Sequence, residues 1–389
     1  MSRLKQILSY PQQTIEDYTR RRQLREEQKA ERFHYASQRQ LIWWRFKKHK
    51  LAMLGMIVLF VMYFVSIFAE FFSPYPVENR IKNFQNAPPT RIRIVSEEGG
   101  LRTPFICAMD RKLDPATFKY NFIEDKSKEY PVKFFVKSEP YKILGFIPVS
   151  RRFVGVEGTH MFLFGTDRLG RDLFTRVLHG GRISLFIGFG GVFLSFILGC
   201  FFGGISGYFG GVADEIIQRV IELLMSIPHI PLWMALSAAV PRHWPVVKTY
   251  FAITIVLATV GWAGLARVVR GKLLSLREEE FALAAKAAGA NEFRIITKHL
   301  LPAFVSYLIV NLTLSIPNMI LGETALSFLG LGMQPPAVSW GVLLQDAQDI
   351  AAISGRPWQL IPVIFVVLTV LMFNFLGDGL RDAADPYSR

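Results

Sequence analysis

FALAAKAAGANEFRIITKHLLPAF, from Phe281 to Phe304, lies between two long apolar segments of the chain. The five alanines within Ala282–Ala288 are strong helix formers with almost no side-chain bulk. Gly289 is the residue type that most often ends a helix, and Asn291 is well placed to cap a second one. Pro302 follows at the start of the next apolar segment, where a missing N–H is harmless. The stretch therefore predicts a helix, a turn and a second helix.

The alanine-rich helix has two possible surroundings, a groove in a partner protein or a lipid surface. Small side chains suit a groove, because the helix backbone can approach closely without a clash. Phe281 and Leu283 are the only bulky apolar residues within the alanine run, which is little to bury in a membrane. We therefore favour a partner groove.

The second predicted helix carries a short apolar stripe. Phe293, Ile296 and Leu300 recur at helical spacing, and Arg294 and Lys298 lie off that stripe.

Outward from this stretch, the 389-residue chain has a mean hydropathy of +0.28, and its apolar residues occur in blocks. A spanning helix needs roughly 20 mostly apolar residues. The pattern predicts an all-α polytopic membrane protein with six transmembrane helices, of which the third is interrupted by prolines. The blocks are Leu51–Ser73, Ile183–Gly203, Ile230–Val240 with its upstream helix, Tyr250–Ala266, Pro302–Leu321 and Trp358–Leu376.

The basic residues predict the orientation. Residues 1–50 contain 13 Lys and Arg against 5 Asp and Glu, and a basic cluster at 45–50 adjoins the first block. Short basic segments stay in the cytoplasm, so we expect a cytoplasmic N-terminus and, after six spans, a cytoplasmic C-terminus. The basic loop at 267–301 falls on the same side. The chain is therefore expected to be a multi-pass membrane protein with both termini in the cytoplasm.

The segment 74–160 has a different composition. Arg91–Val95 and Val132–Lys137 alternate loosely between apolar and polar residues, as half-buried strands do. We expect a small, strand-containing extracytoplasmic insert between the first and second spans. Before the first span, Leu41–Trp44 fits a short helix on the membrane surface or a simple aromatic anchor of that span equally well.

The net charge of +14 does not indicate a nucleic-acid partner, because basic residues attracted to anionic lipid account for it. Cys107 and Cys200 lie in different segments, so a disulfide between them is not expected, and no metal-ligand spacing occurs. We therefore expect no cofactor and no metal.

The opening stretch resembles the EAA loop of ABC importer permeases, whose short cytoplasmic helix inserts into the ATPase subunit. Ala284, Ala285, Gly289 and Leu301-Pro302 match that pattern. At the glutamate position that gives the motif its name this chain has Leu283, so any salt bridge of that glutamate is in doubt; His299 replaces a common isoleucine. The residues to which we assign ATPase coupling are Phe281, Ala284, Ala285, Gly289, Ala290, Arg294, Lys298, His299 and Pro302.

A second block narrows the family. Phe164–Asp172 reads FGTDRLGRD, Arg176 follows, and Gly180–Leu185 reads GGRISL. This block resembles the signature of the second, C-type permease of oligopeptide and dipeptide importers, in the peptide/nickel family. Ser327–Gly332 with Trp340-Gly341, and the tail from Gly377 to Pro386, agree with it. The resemblance extends from Arg45 to the C-terminus, apart from 74–160.

The resemblance implies the type I ABC importer permease fold, a place in a bacterial or archaeal cytoplasmic membrane, and a set of partners. These are a second permease in a heterodimer, two cytoplasmic ABC ATPase subunits, an extracytoplasmic solute-binding protein and membrane lipid. The chain has no G-x-x-x-x-G-K-[ST] phosphate loop, so ATP hydrolysis is expected on the partner subunits and the chain itself is not an enzyme. Oligopeptides or dipeptides are the expected cargo, with oligosaccharides or metal chelates as alternatives.

The charged signature residues precede the second span on the outer side. As exposed ion pairs they would contribute only about 0–1 kcal/mol each, so we expect a geometric role at the outer mouth or in binding-protein contact; a solvated loop is the alternative. The signature residues are Gly165, Thr166, Asp167, Gly170, Arg171, Asp172, Arg176 and Arg182.

A path for peptides should offer polar groups within the bundle. Asn311, Asn318, Glu323 and Asn374 are the candidates, together with Thr313 in the same span as Asn311. Polar bonds between helices are the alternative role for the Asn and Thr side chains.

Two other classes of protein are the alternatives to an importer permease. An ion-coupled secondary transporter or channel usually has ionisable residues in mid-membrane, and Glu222 is the one possible case. An intramembrane enzyme is disfavoured, because no H-E-x-x-H occurs and Gly204–Gly207 lacks nucleophile spacing. The predicted divisions are 1–50, 51–73, 74–160, 161–182, 183–380 with the coupling loop 267–301, and 381–389.

Overall fold

A computed structural model describes residues 37–95, 101–113, 115, 120–348 and 355–384. Most of the predicted cytoplasmic arm, residues 1–36, and positions 385–389 of the tail lie outside the described residues. The helices are α1 Gln38–Lys48, α2 Lys50–Ile67, α3 Ala69–Phe72, α4 Leu173–Phe209, α5 Gly211–Ser226, α6 His229–Ala238, α7 Val246–Leu276, α8 Glu280–Ala287, α9 Glu292–Arg294, α10 Leu301–Ala303, α11 Val305–Phe328, α12 Trp340–Asp346 and α13 Ile361–Ala384.

In the described part of the chain, five helical segments are long and apolar enough to cross a membrane: α2, α4, α7, α11 and Pro357–Ala384. A sixth is reached only if α5 and α6, which meet at a bend of 93°, are counted as one broken span. The break has a local cause, because Ile227 is extended before Pro228, and proline disfavours helix in the residue that precedes it. The predicted six spans therefore include one that is not a continuous helix.

The helices extend beyond the apolar blocks that revealed them. α4 begins at Leu173 rather than at 183, so half of the predicted segment 161–182 is helical. α7 continues to Leu276, into the predicted coupling loop, and α13 continues to Ala384, into the predicted tail. Hydropathy marks the lipid-facing length of a helix, whereas hydrogen bonding and capping determine where the helix ends.

Glycines on α4 bring it into close contact with α7. A Cβ built on Gly203 would lie 2.5 Å from the carbonyl oxygen of Ala266, and one on Gly207 would lie 2.8 Å from that of Arg270. Small residues allow such an approach between membrane helices. The glycine-rich span is therefore a packing surface.

The main core lies where α4, α7, α11, α12 and α13 meet. Its fully buried side chains include Leu185, Leu257, Ile320 and Trp340. The indole N–H of Trp340 donates to the carbonyl oxygen of Val177 at 3.0 Å, which fixes α12 against α4.

The insert between α3 and α4 is made of antiparallel strands. The two strands predicted at 91–95 and 132–137 are present, and three others were missed. β1, β2 and β3 form one sheet in that order, and β4 pairs with β5 as a hairpin. The strands are β1 Arg93–Val95, β2 Leu101–Leu113, β3 Tyr120–Pro131, β4 Lys133–Ile143 and β5 Ile147–Gly155.

Candidate functional site

The alanine-rich helix α8 packs against its own chain on one side. Ala282 is 3% exposed and belongs to a cluster of buried apolar residues that includes Val269 and Leu273 of α7. Ile295 and Leu300, which follow α8 in the chain, complete that contact. α8 is therefore fixed to α7 and to the segment that enters α11.

The opposite side of α8 is exposed. Phe281 and Leu283 are 42% and 50% exposed, and Ala284, Ala287 and Ala288 are exposed as well. Because alanine side chains are short, this face exposes backbone together with two bulky apolar groups.

The turn after α8 has the predicted caps. Gly289 has φ of +80°, and the N–H of Ala290 donates to the carbonyl oxygen of Ala285 at 3.1 Å. The side chain of Asn291 accepts from the N–H of Arg294 at 2.9 Å. The predictions of a glycine C-cap and an asparagine N-cap are confirmed.

The second predicted helix differs from expectation. A single α-turn, α9, passes into a π-helix at Ile295–Leu300 and then into α10. In π geometry residues five apart share a face, so Ile295 and Leu300 are buried together. Of the three apolar residues at helical spacing, Ile296 and Leu300 are buried, whereas Phe293 is 73% exposed. Four other residues that the sequence predicted for ATPase coupling are exposed or half-buried: Arg294, Lys298, His299 and Pro302.

An ion pair that sequence reasoning missed holds the neighbouring helix ends. Arg270 on α7 bonds both carboxylate oxygens of Asp214 on α5, at 2.5 and 2.6 Å, and Ser206 on α4 donates to the same carboxylate. Arg277 donates to the carbonyl oxygen of Tyr208 at 3.2 Å. These contacts join α4, α5 and α7 beside the coupling segment.

The charged signature forms a buried network. Arg171 Nε and Arg176 Nη1 both donate to Asp167 Oδ2, at 2.7 and 2.6 Å. Asp167 is 3% and Arg176 1% exposed, so the expectation of exposed ion pairs is wrong for this pair. Burial makes the geometry more costly to disturb, because removing one partner leaves the other charge buried alone.

Asp346 completes this network from α12. It accepts from Arg168 at 3.0 Å and from Arg176 at 3.4 Å. No motif marked Asp346, which lies six residues after Trp340 in the sequence. The network therefore connects the signature turn with α12.

Two signature glycines fit the turn closely against the segment after α3. Gly165 and Gly170 have φ of +76° and +75°, a region that favours glycine. A Cβ on Gly170 would lie 2.6 Å from the carbonyl oxygen of Ile81. Thr166 accepts from the N–H of Ala87 at 2.7 Å and donates to the carbonyl oxygen of Phe84. This turn is a packed element and not a solvated loop.

Asp172 caps α4. Its Oδ2 accepts from the N–H and the hydroxyl of Thr175, at 2.8 and 2.6 Å. Burial raises the pKa of Asp172 well above its usual range, to about 7, although the bonds from Thr175 favour the charged form. The nearby charge of Asp167 acts in the same direction as burial.

Arg182 connects α4 to α3. It bonds both carboxylate oxygens of Glu70, at 2.8 and 2.7 Å, and donates to the carbonyl oxygen of Ile67. Burial is the largest single effect and raises the pKa of Glu70, but the hydrogen bond and charge of Arg182, together with a backbone hydrogen bond and the charge of His179, leave that pKa lowered.

The four predicted pathway residues do not share one environment. Glu323 is fully buried and accepts from Ser184 at 3.0 Å and from Ser327 at 2.7 Å, which ties α11 to α4. Asn318 is exposed and Asn311 and Asn374 are half-buried. Asn311 lines a cavity of about 560 Å³ that Arg381 and Tyr307 also border.

Two further points concern the titratable side chains of the described residues. Glu222 lies exposed on α5 and pairs with Arg219 at 3.0 Å. Among the described residues no group of three or more His, Cys, Asp or Glu side chains could hold a metal ion.

Comparison with known proteins gives the family. A model described as binding-protein-dependent transport system inner membrane component matches residues 196–389, and one described as N-terminal TM domain of oligopeptide transport permease C matches residues 37–89. The dipeptide transport system permease protein DppC of Bacillus subtilis is 35% identical over 348 residues, which are 89% of this chain and 85% of that protein. This chain belongs to the C-type permeases of oligopeptide and dipeptide ABC importers.

A further curated relative agrees, and one solved structure aligns in part. The oligopeptide transport system permease protein OppC of Haemophilus influenzae is 44% identical to the permease over 235 residues, 60% of this chain and 72% of that protein. A solved structure of the MetNI methionine ABC transporter in an inward-facing conformation aligns with a TM-score of 0.41 and 20% identity, covering 53% of this chain and 95% of that one.

Membership decides between the classes that the sequence left open. The permease is a membrane subunit of a peptide importer, and neither an ion-coupled transporter nor an enzyme. ATP hydrolysis in this family takes place on separate ATPase subunits.

Proposed function

We propose that this permease forms a peptide pathway together with a second permease, and that residues 280–302 dock into a cytoplasmic ATPase subunit. The exposed face of α8 carries the proposal. It combines the small residues Ala284, Ala287 and Ala288 with the apolar side chains of Phe281 and Leu283. Such a surface fits a protein groove better than water or lipid.

The packing of α8 supports a mechanical role. Ala282 of α8 and Ile295 share one buried cluster with Leu273 of α7, and Leu308 of α11 belongs to the same cluster. A displacement of the docked helix is therefore passed to two membrane helices. Moving a two-state population from 1:99 to 99:1 requires about 5.5 kcal/mol of differential binding, so the docked contact has to be firm.

Leu283 changes the chemistry of docking. With leucine at the glutamate position of the motif, the contact is apolar at its centre. Charge is still available around it, because Arg277, Glu278 and Lys286 border a cavity of about 350 Å³ beside Leu283. We propose that these charged groups set the orientation of the ATPase and that Leu283 contributes burial.

We also propose an orientation in the membrane and a peptide pathway along α11. Both termini lie in the cytoplasm and the β-insert lies outside, where a solute-binding protein delivers a dipeptide or oligopeptide. On α11, Asn311, Ser315 and Asn318 are four and three residues apart and so share one face. We propose that this face lines the pathway, whereas Glu323, enclosed by serines, holds helices together.

Replacing a small residue on the exposed face of α8 with a large one tests the proposed docking. In the assembled importer, we expect Ala284→Arg to abolish co-purification of the ATPase and to reduce peptide uptake at least about tenfold, the effect of roughly 1.4 kcal/mol or more. Ala284→Ser, which stays small, should leave both unchanged. Normal ATPase binding by Ala284→Arg, at normal membrane levels, would contradict the proposal.

A further inference from the structure

An apolar surface lies away from the coupling segment, where the β4–β5 hairpin meets the end of α2. Phe60 and Phe64 on α2 are 70% and 44% exposed, and their ring centroids are 6.3 Å apart. The series continues from Phe64 to Phe72 at 6.0 Å and from Phe72 to Phe153 of β5 at 5.3 Å. Aromatic rings thus run without interruption from the exposed face of a spanning helix onto the hairpin.

Two exposed phenylalanines end this series. Phe134 and Phe135 of β4 are 60% and 55% exposed, and their centroids lie 5.6 and 5.9 Å from Phe153. Consecutive residues of a regular strand point to opposite faces. Phe135 has φ of +57°, a conformation that bulky residues rarely adopt, and it is this departure that lets both rings contact Phe153.

The hairpin is held firmly at this place. Arg152 of β5 is 8% exposed and donates to the carbonyl oxygens of Glu70 and Ser73, at 3.2 and 2.8 Å. α2 has 18 residues and is therefore about 27 Å long, close to the roughly 30 Å of a hydrocarbon core. The rings that follow it in α3, Phe71 and Phe72, lie at the membrane boundary by this measure.

The charge of the hairpin suits an anionic surface. Residues 133–155 contain five basic residues and one acidic residue, and Lys137, Lys142 and Arg151 are exposed. Basic groups near a membrane are attracted to anionic lipid, and aromatic side chains concentrate in the interface region.

We propose that the aromatic patch, formed by Phe71, Phe72, Phe134, Phe135 and Phe153, inserts into the headgroup region of the bilayer that surrounds α2. The basic residues of the hairpin contact anionic phospholipid beside it. Continuity with the exposed face of α2 favours lipid over a protein partner, because that face is itself surrounded by lipid in a membrane. The inference does not depend on the docking of α8.

Photo-crosslinking in the assembled importer tests this inference. A benzoyl-phenylalanine replaces Phe134 in the full chain in bacterial membranes, and adducts are identified by mass spectrometry after irradiation. We expect phospholipid adducts, enriched in phosphatidylglycerol relative to the bulk membrane. Position 135 provides a second site if the first variant does not assemble.

Ile123 on β3 is the matched control, because it is 49% exposed and apolar but outside the aromatic patch. We expect several-fold fewer lipid adducts from position 123. Adducts mainly to protein from position 134, or equal lipid yields at 134 and 123, would overturn the proposal. Lipid adducts without phosphatidylglycerol enrichment would overturn its electrostatic part.

Discussion

Arg176 has the most enclosed charge of the signature segment. Its guanidinium is 1% exposed and bonds Asp167 and Asp346, and among the described residues its Nε atom has no hydrogen-bond partner. A charge in such a place contributes through geometry, since desolvation offsets much of its attraction. The signature therefore fixes a shape at the end of α4.

Replacing Arg176 should be far more damaging than replacing its exposed neighbour. Arg176→Met leaves Asp167 buried without its closest cation, at an expected cost of about 3–5 kcal/mol. Arg168→Ala removes a 65% exposed side chain and should cost about 0–1 kcal/mol. Thermal unfolding of the purified permease in detergent measures both, and equal losses would contradict this account.

Asp172 predicts a pH dependence of stability. Because burial raises its folded pKa to about 7, the folded state holds a proton that the unfolded state has released above about pH 4. The contribution of Asp172 therefore falls as pH rises from 5 to 8, by on the order of 2 kcal/mol. Asp172→Asn resembles the protonated form and still offers an oxygen to Thr175.

We test this pH dependence by measuring the melting temperatures of the wild type and of Asp172→Asn at pH 5 and at pH 8. We expect the difference to shift in favour of the Asn variant at pH 8. A difference that stays constant would show that Asp172 does not titrate in the folded protein between pH 5 and pH 8 and would contradict this account.

At the scale of elements, sequence reasoning succeeded where a single residue type determines local geometry. Gly289 and Asn291 gave the turn after α8 correctly, because a left-handed glycine and a capping asparagine act within a few residues. It did not reveal the π-helix at Ile295–Leu300, because that helix packs against α7 and local periodicity does not contain this contact. Asp346 and the pair Asp214–Arg270 were missed for the same reason: their partners are distant in the sequence.

Gly203 should tolerate no side chain, because a Cβ there would meet the backbone of Ala266 at 2.5 Å. Gly203→Val is expected to lower stability by about 1–3 kcal/mol through overpacking. Gly271→Ala, on α7 with open space around it, should be neutral or stabilise by up to about 1 kcal/mol. Both are measured by thermal unfolding, and a stable Gly203→Val would contradict the close contact of α4 and α7.

Leu300 offers a test of transmission separate from docking. It is fully buried under α8, and Leu300→Ala should cost about 2–5 kcal/mol locally and leave a cavity. We expect the variant to bind the ATPase but to transport less peptide per ATP hydrolysed. The ratio of uptake to hydrolysis in proteoliposomes measures this, and an unchanged ratio would show that the buried contact carries no motion.

At the scale of the whole molecule, the sequence predicted the helical spans and the existence of an insert, but not the arrangement of either. Hydropathy identified the apolar blocks. The only sign of the bend between α5 and α6 was that Pro228 and Pro231 interrupt the third predicted span. The insert showed two strands of five, because β2, β3 and β5 lack clear alternation. Strand pairing depends on contacts that composition does not contain.

The orientation of the chain in the membrane can be tested by cysteine labelling. Phe146 at the hairpin tip is 70% exposed and Leu283 is 50% exposed, and we place them on opposite sides of the membrane. In a chain with Cys107 and Cys200 replaced by alanine, Phe146→Cys should react with a membrane-impermeant thiol reagent in spheroplasts. Leu283→Cys should react only in inverted vesicles stripped of the ATPase subunits, and the reverse result would invert the topology.

The 37 residues of α4 form a helix about 55 Å long, nearly twice the thickness of a hydrocarbon core. Its first turns are fixed by the cap of Asp172 and the buried Arg176, and its last turns lie against Arg270 and Arg277. One continuous helix thus extends from the signature turn to the helix end beside Arg270 and Arg277. A rotation of about 5° about the midpoint of α4 moves its two ends by roughly 2 Å in opposite directions, so a single rotation displaces the signature end and the Arg277 end together.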